Sequence, residues 1–335
     1  MQGLTALFLI LAPLLCLAGE EAEEAEEEVA ALSFGGSVAL GGGYESDVAR
    51  SQGVVGGRLG AADLLVDAQG EMTLFEEASF GASFLYDLLP AYDGRYTRMA
   101  LEATADWYRD LGPVELDLGG AGGLSLIDRF APEPYFGSFD SYAELVIPHG
   151  ETLEWLVTLT AAYQHGLRAD VSYLRGPDFF LQGAVRWYFD DDAGTLGGGY
   201  RAGVSLREEA GLYDIAGLAE SGYIALTACN EHFEQALFAK VSYVAQRFSV
   251  IGRFSAIHRY AFAKDRGATL AALKEKRRIE FVVAPSAEFR FALTDSFDLS
   301  AEYAFEYTIS SLGKGDYYDM NGPRHTARVL ATQRF

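Results

Sequence analysis

Residues 297–307 read FDLSAEYAFEY, a run in which every second position is apolar and the positions between them are polar or small. The apolar row consists of Phe297, Leu299, Ala301, Tyr303, Phe305 and Tyr307. Successive side chains of a β-strand point to opposite faces, so a period of two predicts a strand with one apolar and one polar face. A strand that faces lipid on one side and water on the other requires this alternation.

The same alternation recurs from about residue 32 to the end of the chain. Clear examples are the segments 80–88, 99–107, 153–163, 179–189 and 196–206. The three tryptophans all fall on apolar rows near predicted strand ends, where membrane barrels carry aromatic girdles. These residues are Trp107, Trp155 and Trp187. The pattern predicts an all-β fold, a transmembrane up-and-down antiparallel β-barrel.

The links between predicted strands alternate in length, as an up-and-down membrane barrel requires. Short links rich in turn-forming residues are predicted at 67–70, 109–113, 148–151, 190–195, 230–234 and 293–296. Longer links are predicted at 87–95, 127–138, 166–178, 209–221, 261–278 and 310–323.

The segment 235–258 decides the strand count, because it is too long for one ordinary strand and shows no turn signal. We interpret it as one strand with a bulge near residues 246–247. Every long link then lies on one side of the membrane and both termini lie on the other. The count is about fourteen strands, with twelve and sixteen left open.

Three segments are predicted along the chain. Residues 1–19 contain an apolar run that is too short to span a bilayer, and they resemble a secretory signal peptide. Acylation of Cys16, as in a lipoprotein, is left as an alternative. Residues 20–31 carry a run of glutamates and are predicted to form an acidic disordered tether. Residues 32–335 form the predicted barrel. A soluble β-sandwich would alternate in the same way, but the signal segment, the link lengths and the aromatic density on one face favour the membrane barrel.

The signal segment, the alternating strands and the terminal Phe335 together resemble bacterial outer-membrane β-barrel (porin-like) proteins. The resemblance covers nearly the whole chain after the signal segment but is generic. It implies a multi-pass protein of the bacterial outer membrane, in contact with outer-membrane lipid. It also implies assembly by the barrel-assembly machinery, with Phe335 as the assembly signal.

Charged residues at predicted lumen-facing positions divide into two groups. The predicted acidic wall consists of Glu102, Asp106, Glu115, Asp117 and Glu154. The predicted basic wall consists of Arg186, Arg201, Arg207, Lys240 and Arg253. Opposed rows of charge in a water channel would orient dipolar solutes. If the charges instead pair across the lumen, they fill the barrel.

A basic cluster stands out in a chain whose formal net charge is -22. It is predicted to lie in a helix-prone loop and comprises Lys264, Arg266, Lys274, Lys276, Arg277 and Arg278. This basic loop could constrict the pore, contact anionic lipid head groups outside it, or remain a solvated loop. The overall acidity argues against nucleic acid as a partner.

The sequence predicts a passive diffusion channel for small hydrophilic solutes. The alternative is a closed-lumen surface protein, structural or adhesive, that acts through its extracellular loops. No catalytic constellation of serine, histidine and aspartate is recognisable, and no metal-ligand spacing appears, so neither an enzyme nor a cofactor is predicted. The solute and the oligomeric state are left open.

Overall fold

The computed structural model describes twelve stretches of the chain: 33–46, 61–74, 77–88, 98–127, 133–167, 175–191, 193–207, 210–212, 223–228, 231–269, 273–311 and 321–335. The predicted signal peptide and acidic tether lie outside these residues. Within the stretches, no helix is long and apolar enough to span a membrane. The regular elements there are β-strands.

The first eight strands are β1 (Ser33–Glu45), β2 (Ala61–Leu74), β3 (Ala78–Leu88), β4 (Arg98–Asp110), β5 (Glu115–Ile127), β6 (Glu133–Pro148), β7 (Leu153–Gly166) and β8 (Gly176–Phe189). The other eight are β9 (Gly194–Ser205), β10 (Ala210–Leu212), β11 (Tyr223–Ala228), β12 (His232–Ala245), β13 (Phe248–Thr269), β14 (Leu273–Thr294), β15 (Phe297–Ser310) and β16 (Gly322–Arg334).

Fourteen of these strands close into a barrel. Strands β1 to β9 and β12 to β16 pair antiparallel with their neighbours, and pairing of β1 with β16 joins the two ends of the ring. At that seam Gly36 and Phe335 exchange two backbone hydrogen bonds, of 3.0 and 3.1 Å. The terminal residue is therefore held against the first strand. The fold is the predicted all-β up-and-down barrel, at the predicted strand number.

The two ends of the barrel differ in their connections. The end at which β1 begins and β16 ends, the turn end, has links of two to four residues between successive strands. The opposite end, the loop end, carries the longer links, and the link between β13 and β14 there spans only residues 270–272. The predicted separation of the longer links from the start of β1 and the end of β16 is confirmed, except for the link expected at 261–278.

The predicted count of fourteen strands is right, although two segments of the chain were assigned wrongly. Residues 246–247 form a tight turn, with Gln246 at a φ of 42°, so the segment 235–258 belongs to two strands, β12 and β13. Conversely, β11 does not cross the barrel, because it pairs only with β10 and with the loop end of β13. The two errors offset each other. The turn was missed because no Gly, Pro, Asn or Asp marks it.

Two further expectations about links are wrong. Residues 67–70 lie inside β2 and pair in register with both β1 and β3, so the first turn follows Leu74 instead. The predicted basic loop is largely strand, because β13 and β14 continue as a paired hairpin to Thr269 and Leu273. A ladder of hydrogen bonds to the neighbouring strand overrides the local helix propensity of this segment.

The outer surface of the barrel is apolar. Along β7, Trp155, Val157 and Leu159 are exposed, whereas Leu156 and Thr158 between them are buried. Trp155 and Trp187 lie at the turn end, and tyrosines such as Tyr44 and Tyr163 lie at the loop end. An even number of antiparallel strands, an apolar outer band between aromatic girdles, and unequal links define the outer-membrane barrel architecture. The chain spans the bacterial outer membrane with its strands.

Candidate functional site

The register of the strands places the predicted basic wall on the lumen face. Backbone partners follow one another from Arg186 to Gly197, Lys240 and Arg253 across β8, β9, β12 and β13. Residues directly opposite each other share a face, so these three cations lie side by side. Gly197 has no side chain, and a cavity of about 270 Å³ opens there. Tyr188 and Thr195 complete its lining.

Two arginines of this row have carboxylate partners, and the lysine has none among the described residues. Arg186 Nη1 donates to Glu154 Oε2 at 3.2 Å, and the Tyr188 hydroxyl donates to the same oxygen at 3.0 Å. Arg253 Nη2 donates to Glu288 Oε2 at 3.5 Å. Lys240 is exposed to the lumen water. It is thus a basic side chain on the lumen face without a described carboxylate partner.

The other two arginines of the predicted basic wall lie nearer the loop end and join a larger group. This arginine cluster comprises Arg201, Arg207, Arg259 and Arg278, and it lines a cavity of about 370 Å³. Glu234 is buried and accepts from Arg201 Nη2 at 2.6 Å and from Arg259 Nε at 2.7 Å. Arg207 forms an ion pair with Asp178. Arg201, Arg207 and Arg259 therefore contact a carboxylate on another strand, whereas Arg278 pairs with Glu280 of its own strand β14.

The predicted acidic wall is organised by a tyrosine rather than by cations. The Tyr142 hydroxyl donates to Asp106 Oδ1 at 2.9 Å and to Asp117 Oδ1 at 3.2 Å. Gly119 makes room for this group, because a Cβ there would lie 2.1 Å from Asp106 Oδ1. Glu115 lies on β5 directly opposite Asp110 of β4. Substituting any larger residue for Gly119 would displace the shared hydroxyl.

One member of the acidic wall stands apart and another belongs to both walls. Glu102 is exposed and has no hydrogen-bond or ion-pair partner in the described part of the chain. Glu154 is the partner of Arg186 and so joins the acidic wall to the basic one. The wall carboxylates of β4 and β5 thus have no cation partner among the described residues, and these strands lie about half the ring away from β12 and β13.

A further charged group, not predicted from the sequence, lies at the loop end across the seam of the barrel. Arg328 Nη2 lies 3.0 Å from Asp63 Oδ2 and 3.2 Å from Asp87 Oδ2, and Arg98 also pairs with Asp87. Both aspartates are buried. Asp87 lies between the apolar Tyr86 and Leu88, so its alternation could have identified it as a lumen residue. Its pairing with Arg328 depends on closure of the barrel.

The described residues contain no group of three or more His, Cys, Asp or Glu side chains that could hold a metal ion.

Comparison with known proteins adds little to this geometry. No protein-family model matches the chain, and no curated protein sequence matches it.

Solved bacterial outer-membrane barrels are similar to the chain in overall shape. In-vitro folded OmpT, an outer membrane protein of Vibrio cholerae, is 8% identical, over 94% of this chain and 100% of that one, at a TM-score of 0.43. An anion-selective porin from Comamonas acidovorans is 10% identical, over 92% and 100%, at 0.44. The KdgM porin is 7% identical, over 89% and 99%, at 0.34. At these values the similarity carries no argument about the lumen.

Proposed function

We propose that the chain is a passive diffusion channel for small hydrophilic solutes. The observation that supports this function is the direction of the ion pairs. Arg186 pairs with the adjacent strand β7, Arg201 with the adjacent β12, and Arg253 with the adjacent β14. Pairs that run along the wall leave the space between opposite walls free of bridges between the described side chains.

Ion pairs between strands that are not adjacent in the ring also run along the wall. Arg328 on β16 reaches Asp87 on β3, which is three steps around the ring of fourteen strands and is the longest step among the described ion pairs. A barrel closed by its own side chains would instead show charges meeting across the lumen. A barrel of this size has room for water.

Unpaired charges give the proposed channel its electrostatic character. Lys240 lies on one wall, and Glu102 lies about half the ring away on the other. Neither charge is neutralised by a described neighbour, so both act on the solute. A transverse field of this kind orients dipolar solutes as they pass. The proposed channel needs no catalytic step and no cofactor.

Conductance decides between this function and the alternative. Purified protein inserted into a planar lipid bilayer should give discrete conductance steps, and protein unfolded by heating should give none. If correctly folded, heat-modifiable barrel inserts but does not conduct, the channel is disproved. A closed-lumen structural or adhesive protein that acts through its loops would then be the better explanation.

A further inference from the structure

Strands β13 and β14 extend beyond the rest of the barrel at the loop end. Each has 22 residues, whereas the neighbouring β12 and β15 have 14. β12 pairs with β13 as far as Ala261, and β15 pairs with β14 as far as Glu280. The loop-end extension therefore consists of residues 262–269 and 273–279. It rises from the wall where the apolar outer band ends.

The outer face of this extension carries two cations directly opposite each other. Lys264 on β13 pairs in register with Arg277 on β14. Arg277 is two residues beyond Ile279 and so shares its face, and Ile279 is exposed on the lipid-facing surface with Phe281. Like charges at directly opposed positions destabilise a strand pair. A bound anion between them would remove that repulsion.

The arginine is held in place by its surroundings. Its guanidinium group lies 5.1 Å from the centre of the Tyr260 ring and hydrogen-bonds the Tyr260 hydroxyl. A second nitrogen, Nη2, donates to the backbone carbonyl of Phe262 at 3.1 Å. Contacts of this kind orient a cation before a ligand arrives, so less side-chain entropy is lost on binding.

Among the side chains that the structure describes, Glu275 is the carboxylate that approaches the two cations on this face. Lys264 Nζ lies 3.9 Å from Glu275 Oε2, at the outer limit of an ion pair, and both side chains are exposed. Exposed pairs of this kind contribute little. Lys264 and Arg277 therefore leave a net positive charge immediately above lipid-facing Phe and Ile side chains.

We propose that Lys264 and Arg277 together bind a phosphate group on a lipid of the outer leaflet. Charged hydrogen bonds from two cations suit a phosphate oxygen, and the site lies where head groups meet the protein. The exposed Phe262 and Ile279 are suited to contact the acyl chains of the same lipid. A soluble anion would have no use for that apolar surface, so the geometry favours a lipid.

The test uses purified full-length barrel in detergent with lipid A as the probe, in its bisphosphoryl and phosphate-free forms. Native mass spectrometry counts the bound lipid. Wild-type protein should retain the bisphosphoryl form, and the double variant K264Q/R277Q should bind it about tenfold more weakly, as expected from loss of charge-assisted hydrogen bonds. The matched control is K240Q/R253Q, which removes the same residue types from the lumen face and should bind like wild type.

A variant that is expected to bind the lipid more tightly separates loss of binding from misfolding. E275Q removes the carboxylate beside Lys264, so it should bind bisphosphoryl lipid A more tightly than wild type. Equal binding by K264Q/R277Q and by the lumen control would overturn the proposal, as would equal binding of phosphate-free lipid A. Displacement of the lipid by millimolar inorganic phosphate would replace the lipid assignment with a site for a free anion. These readouts do not depend on conductance.

Discussion

The two walls of the lumen hold their charges differently. On the basic wall, Arg186, Arg201 and Arg253 each contact a carboxylate of a neighbouring strand. On the acidic wall, Asp106 and Asp117 share one tyrosine hydroxyl. The basic wall is thus a lattice of ion pairs that joins strands. On the acidic wall, Asp106 and Asp117 have no cation partner among the described residues. Under the proposed function, charge in the lumen serves stability on the basic wall and acts on the solute from the acidic wall.

The largest expected effect tests the structural role of the basic wall. Glu234→Gln removes the carboxylate that Arg201 and Arg259 share, and should lower the free energy of unfolding by about 3 kcal/mol because it breaks a buried ion-pair group. Glu102→Gln is the matched control on the acidic wall and should change it by less than about 0.5 kcal/mol. Urea unfolding in lipid vesicles measures both. Equal losses in the two variants would refute the division between the walls.

A smaller loss of unfolding free energy is expected when the hydroxyl that organises the acidic wall is removed. Tyr142→Phe leaves two carboxylates without their shared donor and should cost about 1–2 kcal/mol in unfolding free energy. Tyr188→Phe is the comparison on the other wall. It should cost less, because Glu154 keeps its contact with Arg186. The same unfolding assay applies, and a larger loss in Tyr188→Phe would reverse the proposed difference.

The unpaired charges should control ion selectivity in opposite directions. Lys240→Glu should shift the channel toward cations and Glu102→Lys toward anions, each by about 0.5–1 kcal/mol, or roughly twofold to fivefold in permeability ratio. Reversal potentials across a salt gradient measure the shift. It should be largest at low salt, where the Debye length is about 30 Å at 0.01 M. A conducting channel in which neither variant shifts would exclude both residues from the pore.

A substitution of Lys240 tests ion selectivity more directly than substitutions of the arginines of the basic wall. Reversing Arg186, Arg201 and Arg207 to Glu together should also shift selectivity toward cations. It would, however, place a new carboxylate beside Glu154, Glu234 and Asp178. Part of any change would then come from loss of stability. A triple variant that remains as stable as wild type would show that these ion pairs contribute little to the basic wall.

The smallest expected effect on the lumen comes from deletion of Phe335. This residue closes the seam with Gly36 and touches neither wall, so conductance and selectivity of assembled protein should not change. Its resemblance to the assembly signal predicts that less barrel reaches the outer membrane. The amount of heat-modifiable barrel in outer-membrane fractions is the readout. An unchanged amount would argue against that role.

Features that repeat with the period of the strand were predictable because each depends on a few neighbouring residues. The row from Phe297 to Tyr307 is apolar at every second position and lies on the outer face of β15 as expected. The turn at 246–247 was not predictable, since Gln246 adopts a positive φ although Gln is not one of the residue types that favour it. The offsetting error at β11 arose because a short alternating run looks the same inside or outside a barrel.

The partners of the lumen charges were decided by tertiary structure. Local alternation places Arg201 on the lumen side, but its contact with Glu234 depends on β9 pairing with β12 rather than with the next strand in the chain. Arg328 and Asp63 lie 265 positions apart and meet only because the ring closes.

By itself, the sequence determined the barrel, its lipid-facing rows and the lumen side of the charges in its two predicted walls, because side-chain direction follows from the two-residue repeat of a single strand. The tertiary structure decided which charges neutralise each other and which remain free. That choice depends on strand order and register, which are set by hydrogen bonds between segments far apart in the chain.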